Sequence, residues 1–91
     1  MQPKFPLGRI VGTPGALRAL ERTGQTPIEF LKHHILGDWG DLDEHDRQEN
    51  ELSLKTDLRL LSAYMLTDGT RIWIITEADR SATTLLLPEE Y

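Results

Sequence analysis

Between His33 and Asp46 the chain gathers His33, His34, Asp38, Asp41, Asp43, Glu44, His45 and Asp46. Side chains of these types hold divalent cations, and a His/Asp pair can move a proton as general acid and base. Their spacing fits neither His-Glu-x-x-His nor a calcium loop closed by Glu, so no metal is assigned. Two helix ends and one acidic first turn account for the same residues. Trp39, between Asp38 and Gly40, reads first as a plug between helices and sheet and second as a ligand platform. Further on, Glu77-Ala78-Asp79-Arg80-Ser81 offers carboxylate, guanidinium and hydroxyl at a loop between strands, where functional side chains often sit. The same groups also suit the turn itself, with Asp79 or Ser81 capping it and Arg80 pairing with Glu77 or the acidic segment. Trp39, Asp41, Glu77, Asp79 and Arg80 are therefore the candidate lining of a small site. No catalytic role follows, and no motif implies a cofactor.

The elements that must position these groups are marked by turn and cap chemistry. Leu58–Leu87 reads as a three-stranded antiparallel meander, with strand-forming runs on either side of Asp68-Gly69 and a third run, Thr83-Thr84-Leu85-Leu86-Leu87, stopped by Pro88. If Asp68 and Gly69 are the centre of a two-residue type I′ turn, Thr67 faces Thr70, Met65 faces Ile72, Ala63 faces Ile74 and Tyr64 faces Trp73. One sheet face then holds Ala63, Met65, Ile72 and Ile74, the other Tyr64, Leu66, Trp73 and Ile75. Ahead of the meander, Thr13-Pro14 to Gly24 and Thr26-Pro27 to Gly37 share one plan: Thr as N-cap, Pro in the first turn, Gly at the left-handed C-terminal position. Glu29 makes a capping box with Thr26. Inner stripes of Ala16, Leu17, Leu20 and of Ile28, Leu31, Ile35, with Phe30 beside them, predict a helical hairpin. His33 can pair with Glu29, and His34 lies half-buried beside Phe30. Asp41 and Glu44 cap a third, acidic helix to about Leu54, with a thin apolar edge of Leu42, His45, Leu52 and Leu54. Leu7–Gly12 is a short strand or an extended arm, and residues 1–6 a flexible one. The expectation is an α+β, two-layer single domain over 1–91, ordered (β)αααβββ.

Ninety-one residues allow one modest core. The absence of cysteine removes disulfides, thiolate metal sites and cysteine nucleophiles. No apolar run reaches membrane-spanning or signal-peptide length, so the default expectation is a cytoplasmic protein with no membrane partner. The net charge of -5 divides into +3 over residues 1–36, -6 over 37–57 and -2 over 58–91. Without a basic footprint, direct nucleic-acid binding is not expected.

Gly37-Asp38-Trp39-Gly40-Asp41-Leu42, Leu60-Leu61-Ser62-Ala63-Tyr64 and the run Ile72–Thr84, with the ending Leu87-Pro88-Glu89-Glu90-Tyr91, resemble a family of small bacterial proteins of plasmids and integrative elements. Its members carry the labels "plasmid-related protein" or "type I restriction endonuclease subunit M". The resemblance spans nearly the whole chain from Thr13-Pro14-Gly15-Ala16-Leu17 onward, and it brings no functional residues with it. The chain is no methyltransferase: it lacks both the Asn/Asp-Pro-Pro-aromatic tetrapeptide and the length for an S-adenosylmethionine domain. The resemblance places the chain among proteins of mobile DNA, and the leading expectation is a non-enzymatic accessory protein linked to restriction-modification or anti-defence. It would bind a protein partner or form a homodimer through Tyr64, Trp73 and Ile75 on an uncovered sheet face, or through a strand edge. A variant is a DNA-mimicking inhibitor that uses the acidic block, although -5 is modest for a phosphate mimic. The alternative is a small metal-dependent hydrolase or nuclease with a His/Asp/Arg site built from His33 or His45, Asp41, Glu77, Asp79 and Arg80.

Overall fold

The structure, a computed structural model, describes residues 2–91; residue 1 of the expected flexible arm lies outside them. The fold is α+β: β1 (Arg9–Gly12), α1 (Pro14–Thr23), α2 (Pro27–Ile35), α3 (Glu44–Thr56), β2 (Leu60–Met65), β3 (Arg71–Thr76), β4 (Ala82–Leu86) and a closing 3-10 turn, Pro88–Glu90. The expected meander is present as β2-β3-β4, and β1 adds a fourth strand, parallel to β4, giving the order β1-β4-β3-β2. A parallel neighbour needs a long crossover, and α1, α2 and α3 all lie within it.

Both Thr-Pro…Gly helices form. The Thr13 hydroxyl accepts from the Ala16 N–H, and Gly24 takes a left-handed φ of 71°. In α2 the capping box is absent, because the Thr26 side chain makes no cap bond and Glu29 instead accepts from the Gln25 side chain at 3.2 Å. The third helix starts later than expected. Asp43 is its N-cap, accepting from the Asp46 N–H at 2.8 Å, and Asp57 ends it at φ 55°. Asp41 does not cap it: its carboxylate pairs with Arg71 and its backbone N–H is bonded to the Ala63 carbonyl of β2.

The hairpin register differs from expectation by one residue. Leu66 exchanges bonds with Gly69 and Thr70: the Gly69 N–H donates to the Leu66 carbonyl at 2.9 Å, and the Leu66 N–H to the Thr70 carbonyl at 2.8 Å. Only Gly69 of the pair has positive φ. The loop is thus the three-residue form, a type I turn closed by a left-handed glycine, in place of a type I′ turn. Asp68 stabilises it by accepting from the Thr70 N–H at 2.9 Å and pairing with Arg22 of α1 at 3.1 Å. Met65 therefore pairs with Arg71, Tyr64 with Ile72 and Ala63 with Trp73. A one-residue slip exchanges the faces, so Tyr64 and Leu66 join Ile72, Ile74 and Leu85 in the core, with Ala16, Ala19, Leu20, Phe30 and Leu31 of the two helices above them. Fully burying a side chain such as Leu20 or Ile74 contributes about 2 kcal/mol.

The helix stripes also shift. Ala19 and His34 are buried where Leu17 and Ile28 were expected, and in α3 the buried residues are Asn50 and Ser53, with Leu52 exposed. A second cluster, Phe5, Trp39 and Leu60, gathers Leu7, Ile35, Leu42 and Leu54 around it. Phe5 is buried and the Lys4 N–H donates to the Ile35 carbonyl at 2.8 Å. The N-terminal segment from Lys4 onward is thus packed and not a flexible arm. Among the described residues no helix is long and apolar enough to cross a membrane.

Candidate functional site

Four of the five residues expected to line a site lie at opposite ends of β2, with Trp39 between them. Asp41 sits at the Met65 end, where its carboxylate pairs with Arg71 at 2.5 Å. Glu77, Asp79 and Arg80 form the β3–β4 turn beside the start of β2. Trp39 is buried between them, stacked on Phe5 with ring centroids 6.2 Å apart, and its Nε1–H donates to Glu51 at 2.9 Å. Asp79 caps its own turn: its side chain accepts from the Ser81 N–H at 3.0 Å, and the hydrogen bonds from Ser81 hold its carboxyl below the usual range. Arg80 takes a left-handed φ of 61°. Its guanidinium donates to the backbone carbonyls of Leu58 (2.6 Å), Glu77 (3.1 Å), Ala78 (3.3 Å) and Ser53 (3.0 Å), and lies 5.8 Å from the centroid of the Phe5 ring. A cation on the last carbonyls of α3 also meets the negative end of that helix. Arg80 thus clips helix, turn and strand entrance together.

The same segment closes the free edge of β2. Ala63 donates its N–H to the Trp39 carbonyl at 3.0 Å and accepts from the Asp41 N–H at 2.6 Å. Gly40 bridges between them at φ 77°, and a Cβ there would meet the Ala63 carbonyl and the Tyr64 ring. Two residues earlier on the strand, the Asn50 amide imitates a neighbouring strand, donating to the Leu61 carbonyl at 2.6 Å and accepting from the Leu61 N–H at 3.0 Å.

Of the three expected interface residues, Trp73 and Ile75 lie on the sheet face away from α1 and α2, whereas Tyr64 does not. The register places Tyr64 in the core against Phe30, with its hydroxyl donating to the Asp38 carbonyl at 2.5 Å; burial pushes its phenol up. On the outer face, Trp73 and Ile75 pair with Ala63 and Leu61 of β2 and with Leu86 and Thr84 of β4. Tyr91 meets Trp73 edge-on at 5.8 Å, and its hydroxyl accepts from Arg59 at 2.8 Å. Together with Leu61, Trp73, Ile75 and Arg59, it rims an apolar hollow of about 280 Å³.

The core holds a polar chain that reading the sequence alone missed. His34 Nδ1 lies 2.5 Å from Ser62 Oγ and Nε2 lies 2.9 Å from Thr76 Oγ1. Thr76 and Thr83 hydroxyls are 2.7 Å apart, and Thr83 donates to the Leu7 carbonyl at 2.7 Å. A carbonyl only accepts, so each proton along the chain is fixed in turn. Thr83 donates to Leu7, Thr76 to Thr83, and His34 Nε2–H to Thr76, which leaves Nδ1 to accept from Ser62. Burial lowers the His34 pKa to about 3, so the ring is neutral. The serine and imidazole stand as a nucleophile and its base would, yet His34, Ser62, Thr76 and Thr83 are all completely buried. The chain therefore locks β2, β3 and β4 to α2 without touching solvent. Its trace in the sequence is the inward parity of Ser62, Thr76 and Thr83 and the place of His34 one turn after Phe30 and Leu31.

One exposed His/Asp pair does form. His33 Nδ1 lies 2.9 Å from Asp38 Oδ2, in place of the Glu29 contact expected, beside a shallow hollow of about 250 Å³ that Asp41 and Tyr64 also line. His45 lies apart on α3, 3.8 Å from Glu49. Among the described residues no group of three His, Cys, Asp or Glu side chains is placed to hold a metal ion. No family model matches the chain, and no curated protein or solved structure is detectably similar to it.

Proposed function

We propose that the protein is a non-catalytic interaction protein, an accessory of mobile DNA elements as its family resemblance implies, and that a partner protein docks on the outer sheet face. The observation that carries this reading is the apolar hollow framed by Trp73, Ile75, Leu61 and Tyr91, on the side of the sheet that α1 and α2 leave uncovered. Aromatic residues with one polar end are the side chains that most often anchor protein interfaces, and Arg59 adds a cation at the rim, 5.5 Å from the Tyr91 ring. The acidic helix has a fold role of its own through Glu51 and Asn50, which favours the docking face over the phosphate-mimic variant. The test is quantitative affinity capture from the native host with wild type, Trp73→Ser and Tyr91→Ala, each checked for folding by circular dichroism. A protein captured by wild type and reduced at least about tenfold by both variants supports the reading, at the size of a hot-spot loss. Capture unchanged by both, yet lost when Glu44 and Glu49 become Gln, moves the contact to the acidic helix.

The alternative, a small hydrolase or nuclease, is favoured by one observation: the His33–Asp38 pair beside Asp41 and Arg71. A carboxylate on Nδ1 leaves Nε2 able to take a proton. Hydrolysis of a phosphodiester or ester probe that disappears in His33→Ala, with folding intact, would establish it.

A further inference from the structure

We infer that two copies of the chain join through β1, whose free edges pair antiparallel about a twofold axis to make one continuous eight-stranded sheet. β1 is the outermost strand on its side. The N–H groups of Arg9 and Thr13 bond to Ser81 and Leu85 of β4 at 2.9 and 3.0 Å, so alternation along the strand turns the N–H and C=O of Ile10 and Gly12 outward. These are the unpaired donors and acceptors of an edge open to strand addition. The residues around them are apolar and accessible: Ile10 is 53% exposed, Val11 40% and Leu17 of α1 46%.

What selects a second copy as the occupant is self-complementarity in one register. With Val11 opposite Val11, Ile10 of each copy faces Gly12 of the other, and each such pair exchanges both backbone hydrogen bonds. Register pairs Ile10 with Thr83 and Gly12 with Leu85, so both lie on the helix side of the sheet. The space beside Gly12 is taken by Leu17 of the same chain, whose Cδ2 lies 2.8 Å from where a Cβ on Gly12 would stand, so the absent side chain lets Leu17 lie flat over the strand and present an apolar surface. The Ile10 side chain of the second copy then packs against exposed Leu17.

On the outer side, Arg9 of one copy faces Thr13 of the other. Thr13 carries a carboxylate beside it, because its hydroxyl donates to Glu90 at 2.5 Å and the Gly15 N–H donates to the same group at 3.1 Å. Arg9 has no ionic partner among the described residues of its own chain. The twofold thus supplies two Arg9–Glu90 pairs along with two Ile10–Gly12 contacts. No like charges oppose one another across the strands.

The dimer edge is separate from the docking hollow, so partner capture by a strict monomer would overturn the dimer alone. The test combines sedimentation with a single-cysteine cross-link, which is clean because the chain has no cysteine. Wild type followed up to about 1 mM, where even a millimolar dimer is substantially formed, should rise from 10.4 kDa towards twice that mass. Val11→Lys should stay at 10.4 kDa with an unchanged circular dichroism spectrum. In Val11→Cys the two sulfur-bearing residues stand at a non-hydrogen-bonded pair, about 4.5 Å between Cα atoms, which suits a disulfide. Mild oxidation should link it at least about tenfold faster than Arg9→Cys or Ile10→Cys, whose cysteines stand off the axis. A wild type that remains monomeric throughout, a Val11→Lys protein that still dimerises, or equal cross-linking at residues 9, 10 and 11 each overturns the proposal.

Discussion

At the β2 rim of the sheet, Leu61 and Ala63 turn their N–H and C=O groups outward, and Asn50, Trp39 and Asp41 satisfy all of them. At the β1 rim of the same sheet, Ile10 and Gly12 turn theirs to solvent beside exposed apolar side chains. The groups that close β2 all come from residues 37–57, the segment with net charge -6. Read by charge alone, that block is a solvated or phosphate-like surface. Placed in the fold, its backbone and one amide substitute for a missing strand, while its carboxylates face water. The contrast shows that a closed edge here is made by specific donors and acceptors, and that leaving β1 bare is a difference of construction between two otherwise similar rims.

The largest effect is expected from breaking the clip that holds the closing segment. Arg80→Ala removes all four carbonyl bonds and the cation at the end of α3, and urea denaturation should show a loss of about 3 kcal/mol. Arg80→Gly should lose less, by roughly 0.5–1 kcal/mol, because glycine adopts the left-handed φ without strain.

Acid comes next and acts on the same side of the sheet, through the buried chain from Ser62 to Thr83. The folded pKa of His34, about 3, lies below its unfolded value of 6.5. Its contribution is therefore complete above pH 6.5 and is lost as pH falls towards 3. At pH 4.5, about two units below the unfolded value, the loss relative to pH 7 is on the order of 2–3 kcal/mol. His34→Gln, able to donate and accept but not to titrate, should flatten the stability profile between pH 6.5 and 4.5. An equally steep profile in that variant would remove His34 as the cause.

Opening β2 directly is a smaller change. Asn50→Leu leaves the Leu61 N–H and C=O without partners and should cost about 2 kcal/mol. Hydrogen exchange at Leu61 should accelerate well ahead of that at Ile74 in the sheet centre. At the other rim, Val11→Lys should change stability by less than about 0.5 kcal/mol, since it leaves the core and the bonds to β4 intact. If Val11→Lys destabilises as much as Asn50→Leu, the two rims are not different in the way described.

Much of the chain was legible because its signals are local. Thr13-Pro14…Gly24 marks a helix through caps that act within one turn, Pro27 marks the next through its place in the first turn although Thr26 makes no cap bond, and Asp68-Gly69 marks a hairpin through backbone freedom at Gly69. The α+β class follows from that order of elements. Of the five expected site residues, the structure draws Trp39 and Arg80 into packing and clipping and separates Asp41 from the Glu77–Arg80 turn.

By itself, then, the sequence determined that three helices precede a meander and that one sheet face would be apolar beyond the helices' reach. Tertiary structure decided which face that is. Two turn types fit Asp-Gly equally well, and the difference between them moves Tyr64 and Leu66 from the outside to the core. It also decided the parallel β1–β4 pairing, the wholly buried His34 and the four carbonyls on Arg80. Each of these depends on groups brought together from distant points of the chain, and the free energy that chooses among them is the burial of a whole layer. No window of neighbouring residues contains that quantity.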